Sequence, residues 1–233
     1  MDIAMFTQEG LVMFLRFVHF FAGVTWIGLL YYFNFIQGAF FNEIEAPVKN
    51  VAFSKLVPKA LWWFRYGALF TFLSGIGMLG IQGAELKQYF FSTPYGLYIW
   101  PGALMGTIMF LNVWLIIWPN QKILIANADN VLKGGAANPE APKAAGKALL
   151  ASRTNVLFSI PLLFFMGASR HLGLGMEMEV SPYTAVGIVT AIILAIEVNA
   201  IKGKLGPLTT VKGVIHCGLG LLVVLYGLLE ALV

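Results

Sequence analysis

The sequence predicts an all-α integral membrane protein, a bundle of six transmembrane helices, and three observations predict it. Hydrophobic residues make up 59% of the 233 and charged residues only 11%, against roughly 45–50% and 25% in soluble domains. Mean hydropathy is +0.80. Six apolar stretches, at about 11–36, 60–81, 96–118, 153–171, 183–201 and 213–232, reach the ~20 residues that a helix needs to cross hydrocarbon. Strand alternation is absent, and backbone groups within a bilayer must be paired inside their own segment, so the spans are helices. They nearly exhaust the chain, and residues 1–233 read as a single transmembrane domain.

Span 1 (11–36) follows a start carrying Asp2 and Glu9 and no Lys or Arg, unlike a signal peptide, and is expected to stay. Pro47 and Pro58 precede span 2 (60–81), whose Gly75, Gly77 and Gly80 form a small-residue seam for close helix packing. Span 3 (96–118) lies between Pro94 and Pro119 and carries a second seam, Gly102-x3-Gly106. Pro101 inside it, and Pro161 inside span 4 (153–171), are expected to kink their helices. The connection from Asn120 to Ser152, rich in Ala, Pro and Lys, reads as a surface linker with one short helix. Pro182 introduces span 5 (183–201) and Pro207 precedes span 6 (213–232).

Lys and Arg fix the expected orientation. Counted from the N-terminus, successive loops hold none, four, one, five, one, three and none, with Arg16 the exception inside span 1. By the positive-inside rule both termini face outward, which in a bacterial inner membrane is the periplasm. The lone Cys217 excludes a disulfide framework within one chain, a CxxC redox pair and a c-type haem attachment sequence. The +4 net charge is spread over loops without a basic run, so nucleic acid is not an expected partner.

An ionisable side chain within a span costs on the order of 2.5–3.5 kcal/mol, so each one needs a reason. All three histidines lie in or at spans, and neutral imidazole ligates haem iron and metals. His19 opens H-x3-G-x2-W-x-G, in which His19, Gly23, Trp26, Leu30 and Phe33 share one helical stripe. Gly23 leaves a notch one turn from the imidazole and Trp26 an aromatic wall, a surface that suits a flat apolar macrocycle. The alternative is a histidine bonded to a neighbouring helix, with Gly23 serving packing.

His171 follows Arg170 at the outer end of span 4, and Arg16 precedes His19 by three residues on span 1. Two histidines binding iron from two helices, with Arg16 and Arg170 on the propionates of a non-covalent haem b, is one reading. Arginines snorkelling to lipid headgroups is the other. His216 lies deeper from the outer side and is a second candidate ligand, in a cluster with Glu197 and Asn199. There Glu197 is expected to pair with Lys212, Arg153 or His216. Asn34, Asn112 and Asn155 are expected to bond between helices. Trp62, Trp63, Trp100, Trp114 and Trp118 suit an aromatic belt.

Phe14-Leu15-Arg16-Phe17-Val18-His19 through Trp26-Ile27-Gly28, Pro58-Lys59 with Trp63-Phe64-Arg65-Tyr66, and Leu73-Ser74-Gly75 resemble the membrane part of bacterial membrane-anchored urate oxidase. Gly102 to Met109 with Asn112-Val113, and Ile160 to Met166 ending in His171, extend the likeness over roughly residues 11–171. The opening helix also resembles the wider group of haem-b protoporphyrinogen oxidase and copper-resistance membrane proteins. The resemblance implies a helical haem protein that passes electrons, with relatives that continue into further spans and a periplasmic cytochrome c domain. Where it implies further histidines on spans 2, 3 and 4, this chain has Trp62, Trp100 and Thr154, and Gly67 stands at an expected acidic position. It therefore implies electron transfer, as an oxidoreductase subunit, more than urate oxidation itself.

Three functions remain open on the sequence. One is a haem b subunit passing electrons between a quinone or membrane donor and a periplasmic partner such as cytochrome c. Another is a cofactor-free structural or assembly subunit, packed against other subunits of a membrane complex. The third is a small transporter or metal-handling protein, which a Met-rich or Cys-rich ladder or broken-helix repeats would support; the sequence shows neither.

Overall fold

A computed structural model describes residues 3–173, 175 and 180–233; Asp2 lies outside them. Among the described residues every regular element is helical. The helices are α1 Gln8–Tyr31, α2 Gly38–Glu43, α3 Ala46–Lys55, α4 Val57–Leu86, α5 Pro94–Leu111, α6 Trp118–Leu132, α7 Ala141–His171, α8 Pro182–Lys202 and α9 Val211–Leu232. π-helical turns join α1 to α2 (Tyr32–Gln37) and α5 to α6 (Asn112–Ile117). Six helical runs are long and apolar enough to cross a membrane: Gln8–Glu43, Val57–Ser92, Pro94–Leu132, Ala141–His171, Pro182–Lys202 and Val211–Leu232. The chain is a multi-pass membrane protein.

The spans run alternately up and down. At one end, Gln8 Nε2 donates to Glu85 Oε1 at 2.6 Å, Tyr183 Oη to Gln88 O at 3.3 Å, and Val180 N to Leu232 O at 3.3 Å. This termini end gathers the start of α1 and the end of α9; the basic loops lie at the other. Helix α7 is the central strut, packed against α1, α5, α6, α8 and α9. Its Phe158 and Phe165 are fully buried with Tyr98 and Met105 of α5.

Glycines set the closest approaches. On α5, a Cβ at Gly102 would stand 3.1 Å from Met166 Cε and one at Gly106 3.4 Å from Leu162 Cδ1, so the Gly102-x3-Gly106 seam holds α5 against α7. On α4, a Cβ at Gly77 would meet Leu15 of α1, and one at Gly67 would meet the α1 backbone itself, 3.1 Å from Trp26 N and 3.2 Å from Ala22 O. A Cβ at Gly80 would meet nothing within 4 Å, so this glycine takes no part in the seam.

The helices outrun the apolar stretches. The expected linker from Asn120 to Ser152 is mostly helix: α6 continues the third span to Leu132 and α7 begins at Ala141. A proline inside an α-helix removes a hydrogen bond and crowds the carbonyl four residues back. Here the wider π turns Asn112–Ile117 directly precede Pro119, which then sits in the first turn of α6. The extension is held by packing of α6 on α3 and α7, through a small-residue face of Ala141, Ala144, Ala148 and Ala151 at helical spacing on α7. Pro101 and Pro161 lie buried within α5 and α7, and both helices run on through them.

The Gly67 approach makes a stability prediction. Gly67→Leu forces α1 off α4 and is expected to cost about 1–3 kcal/mol, read as a lower unfolding midpoint of the detergent-solubilised protein. Gly28→Ala, where a Cβ meets nothing within 4 Å, leaves the midpoint unchanged. Equal midpoints for Gly67→Leu and the parent protein would contradict this packing.

Candidate functional site

His19 sits partly buried on the face of α1 that packs against α4. Its Nδ1 lies 2.8 Å from Thr71 O, and a carbonyl can only accept, so Nδ1 carries the hydrogen. Ser74 Oγ, which donates to Phe70 O at 2.6 Å, lies 3.3 Å from the same nitrogen. In neutral imidazole Nε2 then keeps its lone pair. Metal-binding histidines are commonly held this way, with one ring nitrogen donating to a backbone carbonyl and the other left to ligate.

The room for the ring comes from the neighbouring helix. A Cβ at Gly75 would stand 3.1 Å from His19 Cε1, so α4 is bare where the imidazole lies. Gly23, expected to be the notch, instead faces Thr71 at an ordinary 3.8 Å and serves helix packing. Trp26 is 2% exposed, and its Nε1 is buried without a hydrogen-bond partner.

Arg16 and Arg170 come together. Both line one cavity of about 580 Å³ at the termini end, with Gln82, Gln8, Glu9 and Glu85. Arg170 Nη2 donates to Gln82 Oε1 at 2.9 Å and its guanidinium lies 4.5 Å from the Tyr95 ring centre. Gln82 is seven residues along α4 from Gly75, an axial distance of about 10 Å. His171, beside Arg170 and last in α7, is exposed, as is His216 on α9; neither has a hydrogen bond among the described residues. Among those residues no three of His, Cys, Asp and Glu converge as a free-ion metal site requires.

The positions that depart from the resemblance have structural work. Trp100 Nε1 donates to Thr190 Oγ1 at 2.9 Å, tying α5 to α8. Thr154, fully buried, bonds back to Leu150 O at 3.1 Å. Trp62, 47% exposed, meets Trp63 edge to face and Tyr66 at a tilt. Gly67 is where α1 crosses, and an acidic side chain has no room there.

A second polar cluster lies deeper. Asn112, first residue of the second π segment, donates from Nδ2 to Asn155 Oδ1 at 3.0 Å and to Glu197 Oε2 at 3.1 Å; Asn155 Nδ2 donates to Met109 O at 3.0 Å. Asn34, inside the first π segment, donates to Ser152 Oγ at 2.7 Å. The three asparagines bond between helices as expected. Glu197 does not pair with Lys212, Arg153 or His216: the ion pair among the described residues is Lys143 with Glu140, and Glu197 is met by an uncharged amide. Arg153 leaves Nε and Nη1 buried without partners. Arg65 lies over Trp118, 3.5 Å from the ring centre.

The sequence analysis missed Tyr98, fully buried, whose hydroxyl donates to Glu230 and whose ring stacks on Tyr226 at 6.2 Å. Its signal was a tyrosine and a glutamate inside spans 3 and 6, which charge counting of the loops passes over.

A family profile described as Urate oxidase N-terminal matches residues 81–225. The chain belongs to this family. The match covers both the Gly102-x3-Gly106 seam and His171, Glu197 and His216, and leaves α1 with His19 outside it. No curated protein and no solved structure matches the chain.

The asparagine contacts predict that Asn155→Leu, which removes the bonds to Asn112 and to the Met109 carbonyl together, destabilises the bundle by about 1–3 kcal/mol. The test is denaturant unfolding in mixed micelles. A loss no larger than that of an exposed substitution such as Leu115→Ala would contradict the observed network.

Proposed function

We propose that this chain is a haem b membrane subunit of a bacterial inner-membrane complex, oriented with both termini periplasmic. In this reading it passes electrons between a quinone or membrane donor and a periplasmic partner such as cytochrome c. The observation that carries the proposal is the state of His19: Nδ1 is committed to the Thr71 carbonyl, which leaves the Nε2 lone pair available. The residues present fit the group. The bare backbone at Gly75 accommodates the imidazole ring, and Arg16 and Arg170 line one cavity, beside Glu9 and Glu85, as two cations that suit carboxylates.

A bound haem supplies one-electron chemistry at iron, with its potential set by axial ligands and surroundings. The chain would contribute His19 as one ligand and His171 as the other, with His216 the weaker candidate. Arg16 and Arg170 would fix the propionates. The Thr71 carbonyl holds the imidazole in one tautomer, with Ser74 beside it, and the packed apolar side chains of the bundle exclude water. Support for the periplasmic termini comes from the basic residues, which concentrate in the loops opposite the termini end.

A cofactor-free structural subunit is the second reading, and one observation favours it. The His19 to Thr71 bond joins two spans by itself, and the neighbouring face of α1 presents Phe14, Phe17 and Phe21, 51%, 59% and 70% exposed, to lipid or to another subunit.

A pyridine haemochrome assay separates the two. The purified protein, expressed with haem supplied, is expected to carry haem b; His19→Ala loses it, His171→Ala weakens it, and Arg16→Gln or Arg170→Gln shifts its potential while retaining it. Absence of haem from the parent protein, or retention by the His19 and His171 double variant, rejects the haem reading.

A further inference from the structure

Glu197 is buried, 9% exposed, in the membrane-spanning part of α8, and its hydrogen-bond partner is Asn112. Among the described residues it has no ion-pair partner. An ionised carboxylate in this setting is costly unless a cation faces it. The charged and titratable groups near its level on the helices packed around α8 are Arg153 on α7 and Lys212, His216 and Cys217 on α9, with Lys202 on α8 itself. None of these cations comes within 4.0 Å of the carboxylate. α5 brings only uncharged groups to this level, and the 3-10 turn Lys87–Ser92 packs against α8 at its far end.

The surroundings are polar and neutral. Two sets of side-chain hydrogen bonds cross the bundle here: Asn34, in the π turn after α1, to Ser152 of α7, and Asn155 of α7 through Asn112 to Glu197 of α8. Both asparagines that reach toward α7 lie in π segments, where the helix widens, and such segments are common at functional sites. Glu197 lies five residues from Lys202, the end of α8, so water at the basic-loop end is about 7.5 Å away along the helix axis.

We propose that Glu197 is a proton-binding site of the membrane interior, charged and discharged from the basic-loop end and held by the Asn112 amide. A carboxyl in such a place stays neutral by taking a proton from water and becomes charged on giving it up. The amide, a donor from its NH2 and an acceptor from its carbonyl oxygen, supports either state without bringing a fixed charge that would lock one. An ion pair, expected from the sequence, would have locked the carboxylate. The proposal does not depend on haem.

The test is infrared difference spectroscopy of the full chain in phospholipid nanodiscs, between high and low pH, in H2O and D2O. A protonated-carboxyl C=O band is expected to grow as pH falls and to shift in D2O. It is lost in Glu197→Gln and kept in Glu230→Gln. A difference spectrum unchanged by Glu197→Gln shows a group that does not titrate, and a band indifferent to both pH and D2O shows a sealed structural hydrogen bond; either overturns the proposal. Should Glu197→Gln fail to fold, Asn112→Ala must displace the same band, and an undisplaced band overturns the proposal as well.

Discussion

Helix α1 is held to α4 by a contact that only bare backbone permits. At Gly67 the two helices touch main chain to main chain, and two turns further on His19 lies over Gly75 and donates to the Thr71 carbonyl. In hydrocarbon neither helix gains from simple apolar attraction, because lipid is as apolar as leucine, so close packing and polar contacts between helices carry the association. That requirement explains both what the contact is made of and why a histidine can be kept inside a span. The hydrogen bond that satisfies the imidazole also selects its tautomer, so a stability device and a possible ligand position come from one interaction.

The same economy governs the deeper level. A charge there asks for a counter-charge, yet Glu197 meets an amide and Arg153 leaves two nitrogens without partners. The cations near its level do not reach the carboxylate within ion-pair distance. Neutral amides cost less to bury than ions and still supply donors, which is why asparagines form the contacts among α1, α7 and the turn after α5. α7, packed against α1, α5, α6, α8 and α9, carries Ser152 and Asn155 of this level.

Much of this was legible in the sequence. The six spans, the Gly102-x3-Gly106 seam and the interhelical asparagines follow from hydropathy and small-residue spacing, which report directly on lipid exposure and close approach. Helix ends were less legible. Hydropathy falls at Pro119, but the helix continues because π turns absorb the proline and an alanine face on α7 receives α6. The notch beside His19 was placed on its own helix, at Gly23, because periodicity describes one helix at a time; the glycine that matters, Gly75, is on a neighbour. Charge pairing of Glu197 failed for a similar reason, since residues at one level need not face each other. The family match begins at residue 81, so the α1 reading rests on its own residues and on the α4 contact.

Electron paramagnetic resonance of the purified, haem-supplied protein addresses the His19 assignment most directly. A histidine-ligated low-spin ferric signal that disappears with the haem in His19→Ala is the expected result. A low-spin signal identical in parent protein and variant would show that the iron is held elsewhere, and that the imidazole bound to Thr71 is an interhelical hydrogen bond and nothing more.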